Sequence, residues 1–314
     1  MHSSTSNSSW RTMLRPLLIF IFMITLYHTL TLGRVLPSSE GINIPETNHV
    51  KVEKYVYNNS KFKWVLVGSS RTAQIVPEDI GSEVANLGMR GIASGTGLEI
   101  VQRTKLKPSI LLVEINETIG RPKDTDLIDS VFNPFYYYAR LYFPMFRTEY
   151  KPVSVFIQAI RNFAEKQNIM TIEQLQKQRL IDTKSAKENN IKTTIAQEKQ
   201  PLSEKSKRDL ILQAEVLKSQ IAEIEKSGIR VVLYDVPGDR RVDNTMQRRQ
   251  QRDILRNFFT ADTFEWLPEP PVKDWITTDG VHLIHTEAKE LATFIREQLL
   301  STPREKRLPI SSGR

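Results

Sequence analysis

Two clusters of residues could do chemistry together. In the first, Val65-Leu66-Val67-Gly68-Ser69-Ser70-Arg71-Thr72, an apolar run ends on a glycine and presents a serine at a turn. Gly68 tolerates the turn, and a helix starting near Ser70 would offer free backbone N–H groups to a developing oxyanion. The second is Thr277-Thr278-Asp279-Gly280-Val281-His282-Leu283. An aspartate three residues before a histidine can accept a hydrogen bond from the ring and fix its tautomer. The other ring nitrogen is then free to take a proton from a serine. Joined, the two clusters would form an activated nucleophile for acyl transfer. Each also has a plainer reading, in which the serine caps a helix, Asp279 caps a turn and His282 packs in a core.

The elements needed to bring the clusters together are visible in the apolar pattern. Short apolar runs at Phe62–Gly68, Glu83–Leu87, Ser109–Ile115 and Arg230–Val236 read as buried parallel strands. Leu98, Val101 and Gln102 mark a short helix between them. Leu210, Ala214, Leu217, Ile221 and Ile224 mark a longer one, with Ser203 as N-cap, Glu204 in its first turn and a stop at Gly228. Further helices are expected over Arg241–Phe259 and Thr286–Leu300. Strands alternating with helices predict an α/β domain with a parallel sheet.

A serine directly after the first strand and Asp-x-x-His before the last helix is the layout of the SGNH (GDSL-type) hydrolases, which this chain resembles over roughly residues 61–300. The resemblance implies a three-layer α/β/α fold. It maps the nucleophile to Ser70 of Gly68-Ser69-Ser70, an oxyanion N–H to Gly91 of Asn86-Leu87-Gly88-Met89-Arg90-Gly91, the general base to His282 and its orienting acid to Asp279. Asn116, at the end of the third strand, is the counterpart of the family's oxyanion asparagine. Two positions depart from the family pattern. Ser69 stands where aspartate is commoner, and Asn116 lacks the preceding glycine of Gly-x-Asn-Asp. No metal or cofactor is implied.

Outside this domain the chain divides further. Residues 14–33 form an apolar run that would measure about 25 Å as a helix from Pro16 to Leu32, enough to cross hydrocarbon. Arg11 and Arg15 precede it, which favours a cytoplasmic tail at residues 1–13 and places the chain beyond Arg34 outside the cytosol of a cell (inner) membrane. A cleaved signal peptide is the competing reading; the length of the run and the poor cleavage site at Thr31-Leu32-Gly33 favour a retained anchor. Residues 34–60 read as a polar stem, 120–208 as an insertion and 301–314 as a basic tail. Within the insertion, Asn133–Phe146 is packed with aromatics. These suit a secondary core, a substrate groove or a membrane contact, the secondary core being the expectation.

The formal charge of +8 is concentrated in two places. Residues 150–208 hold 12 Lys/Arg against 6 Asp/Glu, and the tail is also basic. Such segments suit a solvated face or phosphate-rich envelope material; a nucleic-acid recognition motif is lacking. The absence of cysteine excludes disulfides and thiolate metal sites. With the anchor, the resemblance extends to membrane-bound SGNH relatives in envelope O-acylation, such as the D-alanine transfer protein of teichoic-acid modification and the alginate O-acetylation proteins. It implies an acylated envelope glycan as substrate and a polytopic membrane acyltransferase as partner. The alternative is a catalytically inactive binding or assembly subunit that keeps the fold.

Overall fold

A computed structural model describes residues 8–58, 62–166 and 184–301. In chain order the elements are α1 (Ser8–Leu32), α2 (Ile44–Asn58), β1 (Trp64–Gly68), α3 (Pro77–Ile80), β2 (Val84–Gly88), α4 (Ser94–Arg103) and β3 (Ile110–Glu114). Then come α5 (Thr125–Phe132), α6 (Pro134–Tyr142), α7 (Pro152–Lys166), α8 (Lys184–Gln197), α9 (Glu204–Lys226), β4 (Arg230–Tyr234), α10 (Arg240–Asp243), α11 (Met246–Phe258) and α12 (His285–Ser301). They form two compact units, one from residues 8–53 and 130–166, the other from 54–129 and 184–301.

The larger unit is α/β. Its four strands are all parallel, in the order β2-β1-β3-β4. Val65 to Val67, Leu111 to Val113 and Val231 to Leu233 are buried throughout, because helices cover both faces of the sheet. On one face, Leu66, Leu112 and Val232 pack against Leu291, Ala292 and Ile295 of α12. On the other, Val67 meets Gly97 of α4, whose missing side chain lets helix and strand approach closely. The chain enters at β1, pairs β2 on one side, then returns to place β3 on the other. The carboxyl end of β1 is therefore the point where the winding reverses, the usual ligand position in open α/β sheets.

α9 follows its sequence signals closely. Ser203 Oγ accepts from the Ser206 N–H at 3.1 Å, and Gly228 takes φ +85° just past the last turn, as a left-handed stop requires. The expected helix over Arg241–Phe259 is instead two, α10 and α11, interrupted at Asn244 and Thr245.

The insertion is not one block. Residues 130–166 group with the N-terminal segment, whereas α8 belongs to the α/β unit, where Ile191 is fully buried and Glu198 binds Arg248 and Thr245. Residues 59 and 60 of the expected stem lie outside the described residues, and its described part, residues 34–58, is not a polar stem either. α2 runs through them and buries Val50, Val52, Tyr55 and Val56, an apolar face that charged neighbours disguise.

In the smaller unit, α1 contains an apolar segment, Met13–Leu32, long and apolar enough to cross a membrane. Glu53 is buried and accepts hydrogen bonds from the Thr148 backbone and hydroxyl, with Arg140 at 3.3 Å. This ties the 147–150 turn to α2. The expected aromatic core is absent: α6 buries none of its residues, and Phe135, Tyr136, Tyr138 and Tyr142 are all exposed. With so many large rings on one short helix, only a few can turn inward.

Candidate active site

The site is built at the carboxyl end of the sheet. β1 ends at Gly68, where a Cβ would overlap Thr72 Oγ1 and Glu114 Oε2, so only glycine lets the chain turn this tightly. Ser69 is buried, while Ser70 is partly open to solvent. The chain then closes a turn, the Ala73 N–H donating to the Ser69 carbonyl, and continues as a short 3-10 helix at Thr72–Gln74. The helix expected to start near Ser70 is thus reduced to one turn. Asn86 of β2 holds that turn from below, donating to the Thr72 and Ile75 carbonyls at 2.8 and 2.6 Å.

Asp279 and His282 come to Ser70 from the segment before α12. The Thr278 N–H donates to the His282 carbonyl at 2.8 Å, which pins the loop as a narrow hairpin. Gly280, at φ +97°, makes the reversal, and its hydrogen faces Ile191 of α8 and Val242 of α10 where any side chain would collide. His282 Nε2 lies 2.8 Å from Ser70 Oγ, and its Nδ1 lies 2.7 Å from Asp279 Oδ2. Burial alone would raise the Asp279 carboxyl. The His282 ring and the His282 and Val281 N–H groups outweigh it and hold it at about 2. Asp279 is therefore ionised at neutral pH, and its charge selects the tautomer with hydrogen on Nδ1. Nε2 is left to accept from Ser70.

The other assigned residues divide in two. Gly91 sits in the loop after β2 at φ +78°, brought beside the Ser70 turn because Gly88 pairs with Gly68 and the Met89 N–H donates to the Gly68 carbonyl. Among the described residues, neither the Ser70 nor the Gly91 N–H is taken up by another protein group. Asn116 is buried, and its amide is engaged: Nδ2 donates to Glu114 Oε1 at 2.7 Å and to Ser69 Oγ at 3.2 Å. Its oxygen caps the following turn by accepting from the Thr118 N–H.

Beneath the site lies a charged layer that motif reading passed over. Glu114 is fully buried and accepts from the Ser69 N–H, Thr72 Oγ1 and Asn116. Burial pushes its carboxyl upward against these hydrogen bonds and the Arg71 charge. Arg71, next to the serine, donates to the Val236 carbonyl and to Glu117 at 3.0 Å each and pairs with Asp243 at 3.5 Å. It ties together the turns after β1, β3 and β4. The signal for this layer was its position: Arg71 follows Ser70 directly, and Glu117 follows Asn116.

Beside the hairpin is an open cavity of about 310 Å³, lined by Arg240, Arg252, Arg256, Lys273, Trp266 and Trp275 among others. Its Gly238 lies against the Gly280 carbonyl of the hairpin, while Ser70, Asp279 and His282 do not line it. Among the described residues no group of His, Asp and Glu side chains is placed to hold a metal. Comparison with protein-family models, curated proteins and solved structures gives no match.

Proposed function

We propose that the chain is a membrane-anchored, extracytoplasmic SGNH-like serine esterase or O-acyltransferase acting on an acylated envelope glycan. One observation carries this reading, the continuous chain from Ser70 Oγ through His282 to Asp279 at 2.8 and 2.7 Å. Ser70 Oγ attacks the acyl carbonyl while its proton passes to His282 Nε2. The new imidazolium is stabilised by Asp279, and the free N–H groups of Ser70 and Gly91 receive the oxyanion. Collapse of the tetrahedral intermediate breaks the acyl–oxygen bond, and His282 returns its proton to the departing alcohol. Water or a sugar hydroxyl then attacks the acyl-Ser70 ester, His282 again acting as base, and Ser70 is released.

Asn116 favours a second reading. Both hydrogens of its amide serve Glu114 and Ser69, as in a fold kept for binding or assembly without catalysis. Covalent labelling of the full chain with a fluorophosphonate probe decides between the two. Labelling that disappears in Ser70→Ala establishes the activated serine. A folded wild-type chain that stays unlabelled removes the enzyme reading and leaves the binding one.

A further inference from the structure

The smaller unit carries more apolar surface than an anchor alone requires. Besides α1, it exposes Phe135, Tyr136, Tyr138 and Tyr142 on α6, followed by Phe143 and Phe146. α7 exposes Val153, Phe156, Ile160 and Phe163, spaced three, four and three apart and so on a single stripe, with Phe156 at 65% and Phe163 at 64%. Among the described side chains of α7, the two buried ones, Ser154 and Val155, lie off that stripe. An amphipathic helix normally turns its apolar stripe inward; here the stripe faces outward, and burying it requires something beyond the unit.

The position of α1 says what that is. The final turns of its apolar segment are packed against the same aromatic stretch. Tyr27 Oη donates to the Tyr150 carbonyl at 2.6 Å, and the His28 ring lies 5.4 Å from Phe143, which in turn lies 6.2 Å from Phe146. Tyr27 and His28 fall inside the Met13–Leu32 span. If that span crosses a bilayer, Phe143 and Phe146 stand at the level of its outer end. This is the headgroup boundary, where amphipathic rings such as those of the exposed Tyr136, Tyr138 and Tyr142 on the neighbouring α6 are favoured.

We propose that the exposed faces of α6 and α7 lie in the outer membrane–water interface. The unit would then be held by one spanning helix and a monotopic apolar platform together. This rests on the reading of α1 as a membrane anchor. It implies that the smaller unit does not swing freely on a tether; the platform instead fixes how residues 130–166 meet the lipid surface.

Because the chain has no cysteine, single-cysteine variants take a spin label at one chosen place. Full-length protein in phosphatidylethanolamine–phosphatidylglycerol vesicles would carry labels at Tyr138→Cys, Phe156→Cys and Phe163→Cys. Phe20→Cys in α1 is the lipid reference and the exposed Ala222→Cys on α9 the water reference. We expect collisions with oxygen to exceed those with a nickel chelate several-fold at 138, 156 and 163, as at 20, and the reverse at 222. Lipid exposure at 20 with water exposure at 138, 156 and 163 overturns the platform while leaving the anchor intact. Shielding of those three from both reagents overturns it in favour of a protein partner or second copy. Water exposure at 20 removes the anchor reading itself and the platform with it.

Discussion

His282 Nε2 lies 2.8 Å from Ser70 Oγ although 212 residues separate them in the chain. The contact depends on a charge one step further away, since Asp279 fixes which ring nitrogen carries the proton. Asp279→Asn keeps the shape of the hairpin but offers an amide where a carboxylate accepted, and so favours the wrong tautomer. We expect the rate of fluorophosphonate labelling to fall by roughly 10⁴-fold, as such a change does in other serine triads. Folding measured by circular dichroism should be retained. An unchanged labelling rate would show that Asp279 does not orient the base.

Glu114 holds the nucleophile turn from inside, with one oxygen on Ser69 N–H and Thr72 and the other on Asn116. Glu114→Gln replaces one acceptor by a donor facing donors. Leaving a buried polar group unpaired costs about 1–3 kcal/mol, so the thermal midpoint should fall. Labelling of Ser70 should slow more than in Thr72→Val, which removes one of these bonds and leaves the carboxylate. Equal slowing in both variants would show that Glu114 acts only through overall stability.

The strands and the Asp279–His282 pair were legible because both are written locally. Val65–Val67, Leu111–Val113 and Val231–Leu233 are unbroken apolar runs, and Asp279 and His282 sit within one turn of chain. α9 was legible because Ser203 and Gly228 mark its ends. The charged layer was not, since Arg71, Glu117, Asp243 and Arg248 look like surface residues until the fold brings them together. α2 hid its buried face among Glu53, Lys51 and Lys54, and Asn133–Phe146 has the composition of a core but faces outward. Composition records how apolar a segment is; it does not say whether protein or some other medium covers it.

Asp235 adds a pH dependence to stability. It is half-buried with one carboxylate oxygen unpartnered, and desolvation pushes it to about 7, against the pull of Arg71. Between its ordinary value near 4 and about 7 the folded chain holds this proton and the unfolded chain does not. Its contribution is therefore full at low pH and is lost as pH rises through about 7. Asp235→Asn cannot ionise, so its thermal midpoint relative to wild type should climb from pH 5 to pH 8. Thermal melts across that range check the sign; a difference that stays flat would show that Asp235 is ionised in the fold throughout.

Gly97 sets the spacing between α4 and β1. A Cβ there would come within 2.8 Å of Val67 Cβ and 2.9 Å of its Cγ1, inside a region with no exposed atoms to yield. Gly97→Ala should therefore destabilise by about 1–3 kcal/mol despite the better helix propensity of alanine. Val67→Ala alone should also cost stability, by leaving a cavity. The double variant returns volume to that space, although its two Cβ atoms remain close. It should be more stable than the sum of the single effects predicts, by an interaction of about 0.5 kcal/mol or more, typical of residues in contact. A double-mutant cycle in denaturant measures this directly. Simple additivity would mean that α4 shifts as a body to admit the methyl group, and the β1 turn that carries Ser70 would then be expected to move with it.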